Sequence, residues 1–140
     1  MEEQTCALSV VRNVVVLVHG EKNPNQKEFS EILSAFVSVL DKPNPRNITV
    51  TYGGGPDGRM RDAILGLLGG KDVSTAVVSD VMSVRGIVTA LSWFKKGIRC
   101  FRLHEVTEAL EYLEVDKNLR PAVRKEIIRL HMALGLRSTP

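Results

Sequence analysis

Val14–Val18, "VVVLV", puts five apolar residues in a row, four of them β-branched. β-branched side chains favour an extended backbone. A strand with no polar alternation must be covered on both faces, so this run reads as an interior strand of a buried sheet. The run just before it, "CALSVV" at 6–11, is also strand-like, and only Arg12-Asn13 separates the two. A two-residue break containing Asn suits a tight hairpin. His19-Gly20 closes the second strand.

The rest of the chain alternates. Asn25 and Glu28 stand at the spacing of a capping box. Phe29, Ile32, Leu33, Phe36, Val37 and Leu40 then recur as one helical face, and "DKPNPRN" stops it. "NITVTY" at 47–52 reads as a third strand. Met60, Ala63, Ile64, Leu67 and Leu68 give a second helical stripe, closed by Gly69-Gly70 as a C-cap. "VSTAVV" at 73–78 is a fourth strand. Ser83 stands where it can cap a helix carrying Val84, Ile87, Val88, Leu91 and Phe94, which stops at Lys95-Lys96-Gly97. "IRCFRL" is a fifth strand. "HEVTEALEYLEV" is a short acidic helix packing Val106, Leu110 and Leu113. Pro121 suits the first turn of a last helix with Val123, Ile127, Leu130 and Leu134 on its apolar face. Strands alternating with helices predict an α/β fold: a mixed sheet of about five strands, parallel after the opening hairpin, with about four to five helices.

Size and composition narrow the function. The chain has 140 residues, enough for one domain with a core that needs no disulfide or metal. Cys6 and Cys100 lie in apolar runs, outside any CxxC, and read as buried and inert. The opening Met-Glu-Glu has neither a basic n-region nor an apolar h-region, and no apolar run approaches a membrane span. Both features point to the cytoplasm. Residues 1–80 carry 8 basic and 10 acidic side chains, and the remainder carry 11 and 6. That mild asymmetry gives little support for nucleic-acid binding. Arg120, Arg124, Lys125 and Arg129 make the last helix basic, but no aromatics interleave them, and a solvated face is the simpler reading.

Chemistry-bearing motifs are scarce. The three histidines are scattered, with no HExxH or Cys/His cluster for a metal and no GxSxG nucleophile elbow. No cofactor, metal site or catalytic residue is expected. The stretch "TYGGGPDGRMR" is the sharper signal. Gly53, Gly55 and Gly58 have the spacing of a dinucleotide fingerprint, and Gly54 adds to it. Against a phosphate cradle, Pro56 lacks an N–H and Asp57 puts negative charge at the helix N-terminus. A turn capped by Asp57 is the plainer reading. Gly86, Ala90 and Trp93 form a second face on their helix, which either packs inside the domain or meets a partner.

The strand–helix order, together with "VVVLVHG", "GGGPDGR" and "VVSDVMSVRGIVTALSWFKKGIRCF", resembles the STAS domain of the anti-sigma-factor antagonists. It is similar in particular to stand-alone bacterial STAS-like proteins of the myxobacterial type. The resemblance covers about residues 6–115, with 116–136 as an extra C-terminal helical extension, and implies one STAS-like domain over 1–140. It implies regulation by binding to another protein. In the antagonists a Ser or Thr at the start of the helix after the third strand is phosphorylated. Gly53 to Arg61 contains neither, and Asp57 falls near the acceptor position.

The expected function is therefore a non-catalytic, signalling protein-interaction module without the usual phospho-acceptor. Its surface would combine the turn and helix start at Gly53, Gly54, Gly55, Asp57, Gly58, Arg59 and Arg61 with the turn at Ser79, Asp80, Ser83 and Arg85, and with Trp93. Two alternatives stand beside it. One is a small-ligand or nucleotide sensor using the same edge, with Arg59 and Arg85 as anion partners. The other is a self-assembling unit, a homo-oligomer built on the exposed edge of the hairpin or on the Trp93 face.

Overall fold

The computed structural model describes residues 3–93 and 95–136. In chain order the elements are β1 (Cys6–Val11), β2 (Val14–His19), α1 (Gln26–Leu40), β3 (Arg46–Thr51), α2 (Gly58–Leu68), β4 (Ser74–Val78), α3 (Met82–Ser92), β5 (Ile98–Phe101), α4 (Val106–Tyr112) and α5 (Arg120–Ala133). A 3-10 turn, Leu103–Glu105, leads into α4. The five strands form one sheet in the order β1-β2-β3-β4-β5. β1 runs antiparallel to β2, and the other neighbours are parallel.

All six residues of β2 are buried, as the unbroken apolar run requires. The Arg12-Asn13 turn joins it to β1, with the positive φ, 56°, on Arg12. Alternation then sorts the strands into two cores. Val14, Val16, Val18, Ile48 and Val50 face α4 and α5, where Leu110, Val123 and Ile127 complete one core. Cys6, Val15 and Leu17 face α1, where Ile32, Phe36 and Val39 complete the other.

Helix ends follow local chemistry. Asn25 Oδ1 accepts from Glu28 N at 2.8 Å while Glu28 Oε1 accepts from Asn25 N at 3.1 Å, a complete capping box on α1. Asp57 caps α2 by accepting from Met60 N at 2.9 Å, and Gly69 ends it in the left-handed region at φ 55°. Pro121 sits in the first turn of α5.

Several expectations need correction. Ser83 is not a cap: α3 starts at Met82 after Val81, with no side-chain cap. Ser79 serves the preceding turn instead, its Oγ accepting from Val81 N at 3.1 Å. Of the two readings open for Trp93, packed inside or facing a partner, the first falls: it lies just past the end of α3 and is 75% exposed. Cys100 on β5 is half-buried, whereas Cys6 on β1 is buried in the core beneath α1. The stripes on α2 and α3 also fail to close onto the sheet. On α2, Met60 and Leu68 are buried, Ile64 is half-buried, and Ala63 and Leu67 are exposed. On α3 only Val88 is buried, Ile87 is 45% exposed, and Phe94 lies outside the described residues. The cause is placement. α2 packs chiefly on α1 and α3 chiefly on β5, which leaves a gap over the middle of the sheet.

Candidate functional site

β3 reads Asn47-Ile48-Thr49-Val50-Thr51. Side chains alternate along a strand, so Ile48 and Val50 enter the core under α4 and α5 while Asn47, Thr49 and Thr51 share the other face. Beside them on β4 lie Thr75, paired with Asn47, and Val77, paired with Thr49. This is an interior strand with one polar face. The short side chains do not fill the space beneath α2 and α3, and a cavity of about 790 Å³ remains. That size is typical of small-molecule sites, about 300–1,000 Å³.

The cavity is a cleft with a polar floor and apolar walls. Ile64, Leu65 and Leu68 of α2 form one wall, and Val84, Ile87 and Leu91 of α3 form the other. Leu65 and Ile87, 46% and 45% exposed, mark its rim. The floor extends along β3 from Asn47 to Thr51, about 13 Å at the usual rise per residue. Its polar atoms are partly engaged. Asn47 Nδ2 donates to Val15 O at 3.1 Å, Thr49 Oγ1 donates to Asn47 Oδ1 at 3.0 Å, and Thr75 Oγ1 donates to Val73 O at 3.1 Å.

His19 ends β2 beside Thr51 and lines the cleft at its glycine-turn end. Its side chain is fully buried, and neither Nδ1 nor Nε2 has a hydrogen-bond partner among the described residues. Such orphaned groups are rare in a folded interior. Burial lowers its pKa from 6.5 to about 4, with Glu28 opposing weakly, so the imidazole is neutral near pH 7. The Glu28 carboxylate is itself held by Thr5 N at 2.8 Å, Thr5 Oγ1 at 2.7 Å and Cys6 N at 3.2 Å. Burial, reinforced by that carboxylate, pushes the Cys6 thiol up to about 12.

The glycine turn is spent on its own geometry. Gly53 N donates to Thr51 Oγ1 at 3.1 Å, Gly54 N to Gly20 O at 2.9 Å, and Gly55 N to Asn23 Oδ1 at 3.2 Å. Thr51 Oγ1 donates to Gly54 O. A phosphate cradle needs free N–H groups, and these three are occupied. Gly54 is glycine for a steric reason, since a Cβ there would lie 2.1 Å from Lys22 O. Gly53 is set by its φ of 130°.

Gly53, Gly54, Gly55, Asp57, Gly58 and Arg61 all line the cleft, whereas Arg59 is exposed beside it. Arg61 Nη1 donates to Pro56 O at 2.9 Å. The second turn meets the first through Ser79, whose buried Oγ donates to Thr51 O at 2.7 Å. Asp80 Oδ1 accepts from Leu103 N at 3.1 Å, and Arg85 Nη1 donates to Ser79 O at 3.1 Å. Arg85 thus braces its own turn. Ser83 is exposed on α3. Trp93 stands eight residues beyond Arg85, about 12 Å along the helix, and is not part of this corner. The basic face of α5 is also partly engaged: Arg129 pairs with Glu126 Oε2 at 2.6 Å and Arg120 Nε donates to Val115 O at 2.9 Å.

Sequence reasoning passed over His19, Asn47, Thr49 and Thr75. A lone histidine at a strand end has no spacing to mark it. The N-x-T-x-T alternation within an interior strand was the readable signal, because a strand between covered faces is expected to be apolar on both. Among the described residues no group of three or more His, Cys, Asp or Glu could hold a metal, and no helix is long and apolar enough to cross a membrane.

An uncharacterised protein of the DUF3478 family from Shewanella loihica PV-4, with a SpoIIAA-like fold, is similar in structure. The TM-score is 0.57 at 16% identity, over 81% of this chain and 98% of that one. At that identity the likeness establishes the fold: a mixed five-strand sheet with helices in the SpoIIAA-like, or STAS-like, arrangement. No family model matches the sequence, and no curated protein matches it.

Proposed function

We propose that this chain is a non-catalytic regulatory domain that binds a small, mostly apolar molecule in the cleft between the sheet, α2 and α3. One observation carries the reading: an apolar-walled cleft of about 790 Å³ has at one end a fully buried histidine with no hydrogen-bond partner among the described residues. Apolar walls supply the driving force and a few placed polar groups fix orientation. With no Ser or Thr between Gly53 and Arg61, the occupant of the cleft takes the place of phosphate in setting the form of the glycine-turn corner. A regulatory protein partner then reads that corner, with Asp57, Arg59 and Asp80 as its exposed charges. Such charges steer and select a partner more than they add affinity.

The test is titration of the purified chain with an environment-sensitive apolar dye, alongside the rim variants Leu65→Glu and Ile87→Glu. Both positions are solvent-accessible, so the fold tolerates the change. A carboxylate at the rim is expected to weaken dye binding by about tenfold, roughly the cost of partly desolvating a charge without a partner. Unchanged affinity in both variants would place the dye elsewhere and sink the reading.

Direct docking of a protein on this side of the molecule, without a small ligand, is a second reading. It is favoured by Met82 and Trp93 at the two ends of α3, 78% and 75% exposed.

A further inference from the structure

We infer that two copies of this chain join through their β1 edges, pairing antiparallel about a twofold axis at Ser9 into one ten-strand sheet. β1 is an edge strand with no proline, lysine or bulge to guard it. Gly20 N donates to Thr5 O at 2.9 Å, which fixes the phase of the ladder with β2. The backbone groups of Thr5, Ala7, Ser9 and Val11 therefore turn toward β2, and those of Cys6, Leu8 and Val10 turn outward. Both ends of that outer row are closed. Cys6 N donates to Glu28 Oε2 at 3.2 Å, and Cys6 O accepts from Gln4 Nε2 at 3.2 Å. Past the other end of the strand, Arg12 O accepts from Lys42 Nζ at 2.7 Å. Between them, the N–H and C=O groups of Leu8 and Val10 have no partner among the described residues.

Those four groups complement themselves. With Ser9 on the axis, Leu8 stands opposite the second copy's Val10, and Val10 opposite its Leu8, so four hydrogen bonds close between the strands. Each edge then uses every open group and no closed one. The same register sets Arg12 of one copy opposite Cys6 of the other. Arg12 is exposed, and its guanidinium makes no ion pair or hydrogen bond among the described residues. Glu31 acts electrostatically on Cys6, lines a shallow groove with Leu8 and Val10, and is exposed and likewise unpaired. The twofold brings these opposite charges together twice, a match that an unrelated strand on the same edge would lack. The flanking helices allow the approach. α1 packs on both β1 and β2, so strands at the usual spacing bring its two copies to about 10 Å, an ordinary separation for packed helices. Its flank at the groove carries Ser30, Ser34, Ala35 and Ser38, all small. On the other face Ser9 Oγ donates to Glu126 Oε1 at 2.8 Å, and Arg129 already neutralises that carboxylate. The cleft lies over β3 and β4, away from this edge, and stays open in both copies.

The experiment is sedimentation equilibrium of the full chain from about 5 to about 500 µM, a range suited to the weak association of a small interface, with amide exchange measured at both limits. The mean mass is expected to climb from that of one chain toward that of two. The Leu8 and Val10 amides are expected to exchange at least about fivefold more slowly at the upper concentration. Arg12→Glu and Glu31→Arg, both at exposed positions, are each expected to weaken the dimer about tenfold. The double variant, with the charges exchanged, should recover to within about threefold of the unaltered chain. If a variant does not fold, amide exchange in the unaltered chain decides alone. A single chain at every concentration would overturn the inference, and so would a dimer in which Leu8 and Val10 exchange no more slowly. A dimer protected at those amides but not restored by the charge exchange would overturn the register about Ser9.

Discussion

Replacing His19 with Leu should remove one specific pH dependence of stability. In the unfolded chain this imidazole titrates near 6.5, and in the folded protein burial lowers that to about 4. Between those values the unfolded chain binds a proton that the folded protein does not. Acid therefore favours unfolding. The contribution is fully present above about pH 6.5 and is lost as the pH falls toward 4. The full gap is worth about 3 kcal/mol, and the part lost between pH 7 and pH 5 is about 2 kcal/mol. Glu28 also has a lowered pKa. Burial raises it, but the hydrogen bonds from Thr5, Asn25 and Cys6 outweigh burial. Its own loss falls in the carboxylate range and is common to both proteins, so the difference between them cancels it. Urea unfolding followed by circular dichroism at each pH gives the two curves. The unaltered protein should lose about 2 kcal/mol more than His19→Leu between pH 7 and pH 5. Curves parallel within about 0.5 kcal/mol would refute the argument, as would a His19 ring resonance that titrates near 6.5 in the folded protein.

Three other changes follow from the same geometry. Gly54→Ala drives a Cβ to 2.1 Å from Lys22 O, so one of the two segments must move. A loss of about 3 kcal/mol is expected in chemical denaturation, with native-like stability counting against the close approach. Asp57→Ala removes the cap of α2 and should cost about 1 kcal/mol, while Asp57→Asn should retain most of it. Thiol labelling of the native protein should proceed slowly at half-buried Cys100 and spare Cys6, whose thiol is buried and pushed up to about 12. Equal labelling of both cysteines would contradict the packing at the start of β1.

Much of the fold was legible because local chemistry decides it. Val14–Val18 announces an interior strand, Asn25 and Glu28 announce the start of α1, and Gly69 announces the end of α2. Those signals act within a few residues. The cleft was not legible in that way. The stripes on α2 and α3 look like core-facing stripes whether they touch a sheet or stand off from it. Periodicity reports direction, not distance. Ser83 was misread because a serine before an apolar run resembles a cap, whereas the chain reaches α3 through a turn held by Ser79. Trp93 stayed open between packing inside and meeting a partner, because helical spacing does not tell a covered face from an exposed one. The Gly53–Gly58 turn could be found in the sequence. That its N–H groups are already committed depends on Gly20 and Asn23, over 30 residues earlier in the chain.

The alternation along β3 also bears on how the chain finds its register. A one-residue slip of this strand would turn Asn47, Thr49 and Thr51 toward Leu110 and Val123, and would turn Ile48 and Val50 into the open cleft. Three polar side chains would lose water or their partners while two large aliphatic ones gained exposure, so both faces would penalise the error. An interior strand apolar on both sides has no such safeguard. The residues that floor the cleft therefore also guard the assembly of the sheet, and making that floor apolar to tighten ligand binding would weaken the signal that tells β3 which way to face.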